Sequence, residues 1–130
     1  MNYALAVYGA MGSSQAGQTA LSFAKAVLAS GHTVSRIFFY QDGVQNASSL
    51  SNPPQDEVNL PAEWQELVQQ NEIDAVVCIA AALRRGVVDA DEAERYQLPA
   101  SNLADGFQLS GLGQLLESLV ETDRLITFGA

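Results

Sequence analysis

Short apolar runs rich in β-formers alternate along the whole chain with stretches of helical period. Tyr3 to Gly9 is a first apolar run, closed by glycine. From about Gln18 to Ser30 the residues Ala20, Leu21, Ala24, Val27 and Leu28 share one helical face, and Gly31 supplies a C-terminal stop. Thr33 to Tyr40 holds Val34, Ile37, Phe38, Phe39 and Tyr40, a second strand. Pro61 fits the first turn of a helix reaching about Gln70, with Trp64, Leu67 and Val68 inward. The run Ile73 to Ala82 reads as a third, buried strand. A short acidic helix follows from Asp89, its N-cap, to Tyr96, and Pro99 closes it. Phe107 to Leu109 reads as a brief strand, and Leu112, Leu115, Leu116, Leu119 and Val120 form a helical stripe. Arg124 to Phe128 is a last strand.

Such alternation predicts an α/β fold: a parallel sheet of about five strands with helices on both faces, joined by right-handed crossovers. The layering is flavodoxin/Rossmann-like. With no internal repeat and no linker, residues 1–130 read as a single domain, long enough to bury a real core. Residues 41–59 are the longest irregular segment, with Asp42-Gly43, three serines, three asparagines and Pro53-Pro54. A loop of that length is usually functional or mobile.

Charge narrows the partners. Fifteen acidic and six basic residues give a net charge of −9. Direct nucleic-acid binding needs Lys and Arg for the phosphates, and an anionic membrane surface needs the same, so protein partners fit best. The N-terminus lacks a basic n-region and a cleavage site and reads as the first strand. No apolar stretch approaches the ~20 residues of a membrane helix. The expected compartment is the cytoplasm, where a thiol stays reduced.

Chemistry centres on Cys78, the only cysteine. It lies near the carboxyl end of its strand, where open α/β sheets place their ligands. Arg84 and Arg85 follow closely, and a thiol beside positive charge ionises and attacks as a nucleophile. Taken by itself, the local pattern favours an inert core thiol. The arginines could instead form ion pairs with Asp89, Asp91 or Glu92. His32, the only histidine, follows a helix and should lie at the opposite end of the sheet from the strand carboxyl termini. That placement disfavours a Cys–His hydrolase. One His and one Cys cannot close a zinc shell, so no metal is expected. Gly12 to Thr19 fits a phosphate-loop pattern except that Gln18 replaces the lysine that holds the phosphates. It reads as a glycine-rich turn, with nucleotide binding as the alternative. Gly111-Leu112-Gly113 is explained by a tight strand-to-helix turn.

Four segments resemble one family: Phe38-Phe39-Tyr40-Gln41-Asp42-Gly43-Val44, then Asn46-Ala47, then Cys78-Ile79-Ala80-Ala81-Ala82-Leu83-Arg84-Arg85-Gly86-Val87-Val88-Asp89, then Ser110-Gly111-Leu112-Gly113-Gln114-Leu115. In order and over essentially the whole chain, they are similar to the DsrE/TusD family of sulfurtransferases, most of all to its TusD branch. The resemblance implies a sulfur relay with Cys78 as the catalytic residue, accepting sulfur as a persulfide and passing it on. It implies assembly with TusB-like and TusC-like subunits into a heterohexamer, a TusA-like sulfur donor and a TusE-like acceptor. The sulfur would end in the 2-thiouridine of tRNA wobble positions, with no cofactor. It assigns no role to Arg84 or Arg85. Such exchange needs an exposed, partly ionised thiol. Two alternatives stay open: the same relay in dissimilatory sulfur oxidation, and a scaffold subunit whose Cys78 is buried and inert.

Overall fold

The structure, a computed structural model, describes residues 1–129. Five parallel strands, β1 (Asn2–Val7), β2 (Thr33–Phe39), β3 (Asp74–Cys78), β4 (Phe107–Ser110) and β5 (Arg124–Phe128), form one sheet in the order β4-β3-β2-β1-β5. The helices are α1 (Ala16–Ala29), α2 (Leu60–Gln70), α3 (Ile79–Arg84), α4 (Ala90–Arg95) and α5 (Gly113–Glu121). The expected α/β class, with about five parallel strands and helices on both faces, is what the chain adopts.

The winding follows from handedness. From β1 to β4 each strand lies beside its predecessor, and then the chain returns across the sheet to place β5 beside β1. Right-handed crossovers in opposite directions put their helices on opposite faces. Side chains agree. Phe39 of β2 packs edge-on against Trp64 of α2, centroids 5.4 Å apart. Arg36, three residues earlier and so on the other face, reaches the Gln114 carbonyl of α5 at 3.1 Å. Leu5, Val7, Ile37, Phe38, Val76 and Val77 are all buried, because both faces of the inner strands are covered.

Three expectations are corrected. The apolar run 73–82 is not one strand: β3 stops at Cys78 and α3 starts at Ile79 without a loop. Ala80 to Ala82 are strong helix formers, and the β-branched residues end before them. Residues 41–59 are not irregular throughout. Gln41–Ala47 is a 3-10 helix that buries Gly43, Val44, Asn46 and Ala47. Asn46 fixes it by donating from Nδ2 to the carbonyls of Gly9 (3.2 Å) and Gly43 (2.9 Å). The stripe on α5 also lies differently: Leu115 packs against the core as expected, but Leu112, Leu116, Leu119 and Val120 are exposed, and the buried residue of this helix is Ser118. Boundaries move slightly, with β1 ending at Val7 and α1 starting at Ala16.

Candidate functional site

Cys78 closes β3, an interior strand flanked by β2 and β4, and is the N-cap residue of α3. No side chain caps α3, so its first-turn N–H groups open toward the strand end that carries the thiol. Register fixes the neighbours. Phe38 pairs with Ala6 on one side and Val76 on the other, and Cys78 pairs with Ser110. Two residues beyond that central row, Tyr8, Tyr40, Cys78 and Ser110 stand along the carboxyl rim on one face. It is the face of Arg36 and therefore of α5. Tyr8 and Tyr40 meet edge-on at 5.4 Å.

The thiol is not exposed, as the sulfur-exchange expectation required. Cys78 is 3% accessible and belongs to the main hydrophobic core. Directly following its strand, α3 buries Ala81 and Ala82 beside it.

The arginines take other positions than expected. Arg85 turns away from Asp89, Asp91 and Glu92. Its Nε donates to Asp42 Oδ1 at 2.8 Å, and its Nη1 donates to the Ala81 carbonyl at 3.1 Å. It braces the 3-10 helix against α3. Glu92 instead pairs with Arg95 at 3.6 Å. Arg84 is exposed and has no ion pair among the described residues. Replacing Arg85 with alanine should therefore lower stability by about 1 kcal/mol, since Asp42 is largely exposed and such pairs are worth little. Lysine should not restore it, because the brace uses two arms of the guanidinium fork. Urea denaturation of the three proteins measures this. An unchanged midpoint for the alanine variant would show that the brace carries no stability.

His32 precedes β2, at the sheet end opposite Cys78, and its Nδ1 lies 2.8 Å from the N-terminal ammonium. The structure thus keeps histidine and thiol apart. Among the described residues no group of three or more His, Cys, Asp or Glu could hold a metal ion. Among the same residues no helix is long and apolar enough to cross a membrane. The Gly12–Thr19 loop borders an open cleft of about 450 Å³ with Glu57, Val58 and Leu60. A carboxylate and no cation lines that cleft, a poor match for phosphate, and Cys78 does not line it. The sequence assigns no role to Tyr8, Tyr40, Asp42 or Ser110. Strand alternation combined with parallel register would have placed the first, second and last of them beside Cys78.

Comparison with known proteins bears on this arrangement. A model of the DsrE/DsrF-like family matches residues 1–128. A protein of Pseudomonas aeruginosa named sulfurtransferase TusD homolog is 58% identical over 116 residues, 89% of this chain and 88% of that one. One of the same name from Aliivibrio fischeri is 50% identical, covering 97% of both chains. A protein of Allochromatium vinosum carrying the name DsrE is 47% identical across 99% of both. Among solved structures, the ychN protein of E. coli superposes with a TM-score of 0.77 at 20% identity, over 98% of this chain and 100% of that one. At that identity the likeness speaks for the fold.

Proposed function

Because this chain belongs to the DsrE/DsrF-like family, we propose that it is the sulfurtransferase subunit of a sulfur relay, with Cys78 as the nucleophile and transient persulfide site. The relatives named sulfurtransferase, matched over nearly their full lengths, support the activity. The observation that carries the residue assignment is the position of the lone cysteine, at the carboxyl end of an interior strand and the start of a helix.

The exchange balances without a redox partner. The Cys78 thiolate attacks the terminal sulfur of a donor persulfide. A new S–S bond forms, the donor's S–S bond breaks, and the donor leaves as a thiolate. Attack by an acceptor thiolate on the outer sulfur of Cys78 reverses the roles and regenerates the thiolate. The first-turn N–H groups of α3 suit an anionic sulfur at its N-cap. Burial slows the approach of water and stray thiols to the persulfide, and a partner that opens the rim would speed delivery.

In this reading residues 1–130 act as one domain in the cytoplasm, beside TusB-like and TusC-like subunits. Sulfur arrives from a TusA-like donor and leaves to a TusE-like acceptor, for 2-thiolation of tRNA wobble uridine. The resemblance to the DsrE branch leaves a second destination, sulfur oxidation, using the same step at Cys78.

The test is intact-protein mass after incubation with a small-molecule persulfide donor. The expected product is the chain plus one sulfur atom, returned to the starting mass by a reducing thiol. No gain, with the partner chains present, overturns the carrier reading in favour of a scaffold with an inert thiol.

A further inference from the structure

We infer that α5 is the docking face for a different protein chain, one that presents an apolar strip bordered by Lys or Arg. Leu112, Leu116, Leu119 and Val120 follow the i, i+4, i+7, i+8 spacing that normally faces a protein's own core. Here they face solvent: Leu116 is 64% exposed and Val120 86%.

The orientation is held by polar bonds. Arg36 is mostly buried, and its Nε donates to Asp74 Oδ2 at 2.7 Å. Nη1 of the same guanidinium donates to the Gln114 carbonyl at 3.1 Å and lies 3.5 Å from Ser118 Oγ. Nη2 reaches Glu117 at 3.7 Å. Rolling the leucines inward would break the contacts with Gln114, Ser118 and Glu117 and leave a mostly buried guanidinium with Asp74 as its remaining partner, at a cost in stability.

Charge selects the occupant. The only ionised side chains on α5 are Glu117 and Glu121, both exposed. A second copy of a chain with net charge −9 would bring like charges to the contact. An anionic lipid surface would be repelled as well, and α5 lacks the basic polar face of an interfacial helix. A basic-bordered protein surface meets both the stripe and the charge. Place gives it a purpose, resting on the relay reading: α5 starts three residues after Ser110, the register partner of Cys78, and lies on the same sheet face. A chain seated there lies on the same side of the sheet as the thiol.

The experiment mixes the full chain with the TusB-like and TusC-like chains of the proposed complex and measures mass by light scattering. The double variant Leu116→Glu/Val120→Glu is compared with the unaltered protein. Both sites are exposed, so the variant should fold, as circular dichroism checks. We expect a complex with the unaltered chain and at least tenfold weaker association of the double variant. Glu121→Lys should slow association, most at low salt. Equal binding by the double variant overturns the inference. So does a homodimer of the unaltered chain that the variant loses, or no complex at all. The sulfur gain at Cys78 from a small donor is scored separately, so the docking face and the carrier reading can fail independently.

Discussion

Replacing Cys78 with serine should erase sulfur uptake completely while the protein stays folded. A serine hydroxyl does not exchange with a persulfide, so no sulfur can be held at this position. The structural cost is modest because two effects oppose. The thiol sits in the core as a small hydrophobe, and a hydroxyl there without a partner costs about 1–3 kcal/mol. Position 78 is also the N-cap of α3, which lacks a side-chain cap, and serine is a preferred N-cap worth roughly 1 kcal/mol. The net loss should be about 0–2 kcal/mol, well below the stability of an ordinary domain. Cys78→Ala serves as the companion, with no hydroxyl to bury and no cap. Mass spectrometry and urea denaturation on the same samples separate the two readouts. Sulfur gain in either variant would remove Cys78 from the mechanism.

The contrast between what the sequence discloses and what it hides has a physical basis. Strand and helix alternation is legible because the apolar period changes from two to 3.6 at glycines and prolines. The place of His32 at the far end of the sheet is legible for the same reason, since topology fixes which loops share an end. Non-local choices are not legible. Periodicity groups Leu112, Leu116, Leu119 and Val120 on one side of α5, but it cannot say whether that side meets the sheet. Arg36, 78 residues before Gln114, decides it. Arg85 has acidic residues within a few positions, yet it pairs with Asp42, 43 residues away. The 3-10 helix has no apolar stripe to announce it, and it depends on Asn46 finding the Gly9 carbonyl. The burial of Cys78 likewise depends on α3 following the strand with no loop between them.

Gly43→Ala should be among the most destabilising single-methyl additions in the molecule, and its effect should reach the site. Gly43 lies in the 3-10 helix that crosses the carboxyl end of β1. A Cβ there would fall on the Val7 carbonyl oxygen and 2.8 Å from its carbon. Those atoms are backbone of an inner strand, and the Val7 carbonyl also accepts from the Tyr40 N–H at 3.0 Å. Neither side can yield like a flexible side chain, so the 3-10 helix must move. Its displacement would pull Asn46 from the Gly9 and Gly43 carbonyls and Asp42 from Arg85. Overpacking of this kind costs about 1–3 kcal/mol and occasionally more, and the lost bonds place this variant at or above the upper end. At about 3 kcal/mol, Tm should fall by roughly 10 °C. The natural control is Gly113→Ala in the first turn of α5, where a Cβ meets nothing within 4 Å. That change should leave stability unaltered or raise it by up to about 1 kcal/mol. Because Asp42, Arg85 and α3 connect the displaced segment to Cys78, Gly43→Ala should also make the thiol react faster with a small alkylating reagent under native conditions. Calorimetry and alkylation rates on the two variants measure both effects. A Gly43→Ala protein as stable as the Gly113→Ala protein would show that the 3-10 helix is not held against β1 as the packing requires.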